Sequence, residues 1–238
     1  MPDSTYIPTR TKIHGFELEF LPQCGLYWPS TRTLFVADTH FGKDATFRSS
    51  GIPVPQGGTA DTLTSLSQML IETKANRLIL LGDMFHARSS LAPAVRDLLS
   101  DFFNAHSAIQ FSLVLGNHDR NIGKLPNDWS IEVLEADDCI DGIQVAHHPT
   151  ESELKCELRL CGHVHPSYRL STVVESAGKL PCFWLSGRQL ILPAIGRFTG
   201  THAVRPRPQD RLWVITPSQV MEIPIPQNGF NKKNRGSL

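Results

Sequence analysis

Five short stretches of this 238-residue chain end in groups that bind cations or move protons: Val36-Ala-Asp38-Thr-His40, Leu81-Gly-Asp83, Gly116-Asn117-His118-Asp119, Val145-Ala-His147-His148-Pro149 and Cys161-Gly-His163-Val-His165. Each has an ordinary explanation when taken alone. Gly-Asp after an apolar run is turn chemistry, and His-x-His sets two rings on one face of a strand. Together they supply two carboxylates (Asp38, Asp83), four imidazoles (His40, His163, His165 and one of the neighbours His147 and His148) and the Asn117 amide oxygen. A set of this kind without thiolate suits Mn²⁺, Fe, Zn²⁺ or Co²⁺ and disfavours a structural zinc knot. Seven groups suffice for two cations if one carboxylate is shared. Asp83 is the natural bridge, since its two oxygens can each face one of two ions about 3.5–4 Å apart.

Donors this far apart in sequence need a scaffold that brings them together. Thr33–Ala37, Leu78–Leu81 and Phe111–Leu115 are short apolar runs, the pattern of strands covered on both faces. Between them, Ala60–Thr73 repeats Leu63, Leu66, Met69 and Leu70 at helical spacing, and Leu91–Phe103 repeats Val95, Leu98, Leu99 and Phe102. The first half therefore reads β-α-β-α-β with a largely parallel sheet. From Ile131 the strand candidates come closer together: Ile131–Leu134, Gly142–Ala146, Glu157–Leu160, Phe183–Leu185, Gln189–Leu192 and Leu212–Ile215, predicting a second, more antiparallel sheet. In an open α/β sheet the carboxyl ends of the strands form the ligand crevice, so the five clusters are expected to meet in one site. Gly precedes three of the clusters and is read as letting the backbone turn sharply there. Ile52-Pro-Val-Pro-Gln-Gly-Gly58 reads as a rigid loop at the pocket mouth, its prolines fixing φ.

Composition narrows the classes. The chain is 40% hydrophobic and 19% charged, with 23 basic and 23 acidic side chains, as in globular domains. No apolar stretch approaches the roughly 20 residues of a membrane span. The opening Met1-Pro-Asp-Ser-Thr lacks the basic-then-apolar progression of a secretory leader, so the expected location is the cytoplasm. Five cysteines (Cys24, Cys139, Cys156, Cys161, Cys182) without a C-x-x-C pair read as reduced thiols in packed positions. With no repeat or internal linker, one domain over 1–226 is expected, followed by a flexible polar, basic tail at 227–238. Charge is uneven: residues 187–238 carry 8 basic and 2 acidic groups. That asymmetry suits a phosphate-bearing polymer.

The order Asp-x-His, Gly-Asp, Gly-Asn-His-Asp, His, Gly-His-x-His over residues 36–165 resembles the calcineurin-like metallophosphoesterase superfamily. Leu34–Lys43, Phe47-Arg48, Gly51–Gly57, Gly82–Ala87 and Leu192-Pro-Ala-Ile-Gly-Arg-Phe-Thr-Gly200 are similar to its ligase-associated DNA damage response endonuclease (PdeM-type) group, departing at Ile195 and at Thr201-His202. The resemblance implies a four-layer α/β/β/α sandwich of two mixed sheets. It implies one metal on Asp38, His40, Asp83 and His165, and a second on Asp83, Asn117, His147 and His163, with His148 as the alternative to His147. The expected cofactors are two divalent ions, Mn²⁺ first and Fe, Zn²⁺ or Co²⁺ otherwise. They would hold the phosphate oxygens and lower the pKa of a shared water, so that hydroxide attacks phosphorus in line.

His118 is the expected general acid, because a leaving alkoxide needs a proton from a group suited to transfer near neutrality, and Asp119 is expected to orient or charge-stabilise it. His86, His148, Arg48, Arg88, Arg120 and Arg197 are candidate substrate contacts. The expected function is hydrolysis of phosphodiester bonds in DNA, with single-stranded DNA as a candidate, or in a nucleotide-like diester, within DNA repair beside ligase and helicase proteins. The alternatives are a phosphomonoesterase, a nucleotide pyrophosphatase and a non-catalytic scaffold; the filled donor set argues against the scaffold.

Overall fold

The computed structural model describes residues 8–171 and 176–225. Its first sheet has seven strands in chain order: β1 (Thr9–Ile13), β2 (Phe16–Phe20), β3 (Leu26–Trp28), β4 (Thr33–Val36), β5 (Arg77–Leu81), β6 (Gln110–Val114) and β7 (Ile131–Leu134). β1 to β4 form an antiparallel meander. From β4 to β7 every pairing is parallel, with α1 (Lys43–Ser49), α2 (Gly58–Thr73) and α3 (Pro93–Ala105) in the crossovers. The predicted β-α-β-α-β half is therefore present. Two features differ from expectation: β1–β3 extend the sheet unforeseen, and Ile131–Leu134 pairs with β6 in the first sheet rather than opening the second.

The second sheet contains β8 (Asp138–Ile140), β9 (Ile143–Val145), β10 (Leu158–Cys161), β11 (Pro166–Ser171), β12 (Ser176–Ser186), β13 (Gln189–Ile191), β14 (His202–Ala203), β15 (Arg211–Ile215) and β16 (Val220–Ile223). It is mixed: β9, β10 and β13 run parallel, while β12 pairs antiparallel with β11, β13 and β15. The expected Phe183–Leu185 strand is thus part of a longer element that serves three neighbours.

The apolar runs are continuous because each strand is buried on both faces with alternate residues. Leu34 and Val36, Leu78 and Leu80, Phe111 and Leu113 pack with Leu66, Met69, Leu99 and Phe102 of α2 and α3. Their neighbours Phe35, Ala37, Ile79, Leu81 and Val114 face the second sheet and meet Val145, Leu160, Phe183, Leu190 and Trp213. Burying one such side chain is worth about 1.5–3 kcal/mol, so the slab between the sheets is the main support of the strand ends. Leu98, assigned above to the apolar stripe of its helix, is instead exposed. The expected sandwich of two mixed sheets is present, but among the described residues no α-helix follows α3. Small apolar clusters around Cys182, Leu212 and Val214 and around Ala146, Cys161 and Ile191 lie outside the main slab on the second sheet.

The expectation of five reduced thiols is corrected at two positions. β9 lies between β8 and β10, which brings Cys139 and Cys156, 17 residues apart in sequence, to a Cα separation of 6.5 Å, and they are joined as a disulfide. Cys24, Cys161 and Cys182 are free, and burial pushes the thiols of Cys24 and Cys161 up to about 12. No helix among the described residues is long and apolar enough to cross a membrane. The tail at 227–238 lies outside the described residues.

Candidate metal centre

All five strand-end clusters come together at one edge of the sandwich. Past β4 and β5 the chain stays zipped: Asp38 N–H donates to the Gly82 carbonyl at 3.2 Å and His40 N–H to the Asp83 carbonyl at 3.0 Å. Asp38, His40, Asp83, His163 and His165 all have positive φ, between 43° and 69°. Left-handed backbone at non-glycine residues costs of order 1–3 kcal/mol each and persists where the surroundings over-determine it, commonly at functional sites. Here it turns each donor off its strand into the shared crevice.

The glycines have a second role beyond the expected sharp turn. Only Gly82, of the three preceding the clusters, has positive φ (+83°); a Cβ on it would collide with His147. Gly116 and Gly162 are needed for space: a Cβ on Gly116 would strike Asp83, and one on Gly162 would lie 2.7 Å from Asp38 Oδ2. Donor side chains of one strand end fill the room left by glycines of the next.

Donor atoms of Asp38, His40 and His165 lie within 4.8 Å of one another, as do those of Asp38, Asp83 and His147. His165 Nε2 is 3.5 Å from Asp38 Oδ1, His40 Nε2 is 3.9 Å from Asp83 Oδ2, and His147 Nε2 is 3.5 Å from Asp83 Oδ1. Asp83 thus faces both groups. Backbone acceptors set the tautomers: Nδ1–H of His147 donates to the Leu81 carbonyl at 3.0 Å and Nδ1–H of His165 to the Gly200 carbonyl at 3.0 Å. In the neutral rings this aims both Nε2 lone pairs inward, the usual outer support of a metal-bound histidine. His147 Nε2 then confronts the Asn117 Oδ1 at 3.1 Å, acceptor against acceptor.

Asp38 Oδ1, His40 Nε2 and His165 Nε2 are buried without a hydrogen-bond partner. Unpaired buried acceptors are costly, and a cation among them relieves that cost, so the residues fit divalent metal ions. Protonation works against most of these rings. Burial, helped by Lys43 and the neighbouring imidazoles, drives His40 down to about 2, and burial also lowers His163 and His148. Burial acts to lower His165 too, but the attraction of the Asp38 carboxylate, 3.5 Å from Nε2, outweighs it, and its pKa is raised.

His147 is buried against Asp38, Asp83 and Asn117; His148 is exposed beside it and joins His147 and His163 in a third group whose donor atoms lie within 4.8 Å of one another, its ring centroid 4.2 Å from that of His163. His118 stands at the rim with its side chain 38% exposed, Nε2 3.8 Å from Asp83 Oδ2 and Nδ1–H donating to the His86 carbonyl at 2.7 Å. The His86 ring stacks on it with centroids 5.2 Å apart.

Asp119, expected to orient or charge-stabilise His118, has its carboxylate turned to the backbone. Its oxygens accept the backbone N–H groups of Met84, Phe85 and Gly116 at 3.2, 3.0 and 2.9 Å. It clamps the loops after β5 and β6 together, and the His86 carbonyl orients His118. Arg48 is engaged by Asp44 and by the Pro55 carbonyl, tying α1 to the 52–58 loop. Arg120 and Arg197 are exposed, and the Arg120 charge contributes to lowering His148. The Arg88 side chain lies outside the described part. Sequence reasoning missed Lys43, in the first turn of α1. Its ammonium is half-buried and lowered from the usual lysine range by burial, opposed by the attraction of Asp38 and Asp83. The signal was its place in Phe41-Gly-Lys43, directly after the first donor pair.

Residues 31–165 match the calcineurin-like phosphoesterase family. Among solved structures, the chain is 32% identical to the nuclease MPE of Pseudomonas putida, covering 88% of this chain and 97% of that one with a TM-score of 0.77. A conserved phosphoesterase-like protein of Streptococcus pneumoniae is 15% identical over 80% of this chain and 95% of its own, with a TM-score of 0.33. Among curated proteins none matches.

Proposed function

The chain belongs to the calcineurin-like phosphoesterase family, and from that premise we propose that it hydrolyses phosphodiester bonds in single-stranded DNA or a nucleotide-like diester. The observation that carries this reading is the convergence of unpartnered acceptors from Asp38, His40 and His165 beside Asp83, with His118 at the open rim. Likeness to a nuclease over most of both chains supports the diester choice.

Asp38, His40, Asp83 and His165 would hold one divalent ion, and Asp83, Asn117, His147 and His163 the other. Bound there, the ions supply positive charge to the phosphate oxygens and make a water molecule more acidic. Manganese is the proposed metal, because oxygen and imidazole donors without thiolate suit it. The protein's own groups do the rest. Lys43 adds a cation facing the anionic substrate. The His118 Nδ1–H is committed to the His86 carbonyl, so Nε2 is the atom that hands a proton to the departing oxygen. Action in cytoplasmic DNA repair, alongside a ligase and a helicase, belongs to the same proposal and rests on the sequence resemblance.

The test is a substrate panel run on the metal-loaded protein, with chelator-treated protein as control. Cleavage of bis-nitrophenyl phosphate and single-stranded DNA well above nitrophenyl phosphate, lost on chelation and restored by Mn²⁺, is the expected result. Preference for the monoester or for a pyrophosphate bond would replace the diesterase reading.

A further inference from the structure

Phe198 is 41% exposed, and its backbone sits at φ 59°, in the left-handed region that side-chain-bearing residues avoid. A phenyl ring held this way gains little from burial in return for the strain.

The loop carrying it is fixed at both ends to the metal-binding strand ends. Upstream, Ala194 bridges to Ala37, Ile195 N–H donates to the Ala37 carbonyl at 3.0 Å, and Gly196 N–H donates to the Asp38 carbonyl at 3.1 Å. Downstream, the Gly200 carbonyl accepts His165 Nδ1–H at 3.0 Å, and His202 N–H donates to the His165 carbonyl at 2.9 Å. Arg197, Phe198 and Thr199 therefore span two anchors set by Asp38 and His165. The ring lies against Gly58, where an added Cβ would come 3.0 Å from its Cε2 atom, so the missing side chain leaves room for it. Next to Gly58, the Thr59 hydroxyl accepts Gly42 N–H at 2.9 Å, linking this rim to Lys43.

We propose that Phe198 is a stacking platform for one nucleobase of a single-stranded polynucleotide lying across the Asp38–His165 side of the centre, with the exposed Arg197 beside it for the backbone phosphate. A rigidly anchored, solvent-facing aromatic next to a guanidinium is the arrangement by which proteins hold single strands without reading their sequence. The proposal rests on the diesterase reading and names how its substrate is gripped.

The experiment compares two oligonucleotides of equal length and charge in the Mn²⁺-loaded full chain, one carrying bases throughout and one abasic around the cleavage position. A stacked base is worth about 5- to 150-fold, so wild-type kcat/KM should favour the base-bearing strand within that range. Phe198→Ala should bring the ratio near one, and Phe198→Tyr should restore it. A ratio that survives Phe198→Ala, or a loss equal on both strands, overturns this inference and leaves the diesterase reading standing. A wild-type protein that cuts nitrophenyl diesters but neither oligonucleotide overturns the DNA reading and this inference together.

Discussion

Replacing Asp83 by Ala or Asn is expected to lower turnover by about 10³-fold or more, the scale of several kcal/mol of lost electrostatic stabilisation, and to leave fewer than two ions per chain. Asp83 is 2% exposed, and its oxygens approach donors of both groups: Oδ1 the His147 Nε2 at 3.5 Å and Oδ2 the His40 Nε2 at 3.9 Å. Without its negative charge, two neighbouring cations would repel one another with only the Asp38 carboxylate left to offset them. Asp83 Oδ1 also accepts the His118 backbone N–H at 2.9 Å, so Asp83→Asn is the informative variant, since its amide oxygen can keep that bond. His163→Ala, at the exposed edge, should deplete one site and spare the other. Metal content per chain, measured beside turnover, checks both. A fully active two-metal Asp83→Asn protein would remove the bridging role.

His118→Ala is expected to keep its metals and its fold but to lose about 10²- to 10⁴-fold in DNA cleavage, the range typical of removing a general acid. The defect should be smaller on a nitrophenyl diester, whose phenolate leaves with little need of a proton. His118 is suited to this because one ring nitrogen is anchored and the other is free at the rim. Equal defects on both substrates would instead make it a positioning residue.

The parallel core strands and the gathering of donors at their ends were legible for one physical reason. Strands buried on both faces read as unbroken apolar runs, and a core has no use for Asp, Asn or His at their ends. β1 to β3 carry no unbroken apolar run: charged residues interrupt Thr9–Ile13 and Phe16–Phe20, and Leu26–Trp28, though buried, is only three residues long. Ile131–Leu134 was legible as a strand, but pairing is decided in three dimensions and its sheet was not. The cysteine pair was hidden for the same reason. Asp119 follows His118 in sequence and invites a catalytic role, yet a short loop turned its carboxylate onto three backbone N–H groups. The basic end was only partly what it promised, since Arg211 is committed to Glu222 and stacked on Trp213.

The proposed hydrolysis requires two divalent cations bound to one chain. Its most direct test is titration of chelator-stripped protein with Mn²⁺, reading bound metal and diester turnover in the same samples. Turnover is expected to stay low through the first equivalent and to reach its plateau as the second binds. Full turnover at one ion per chain, or in stripped protein with none, would contradict that requirement.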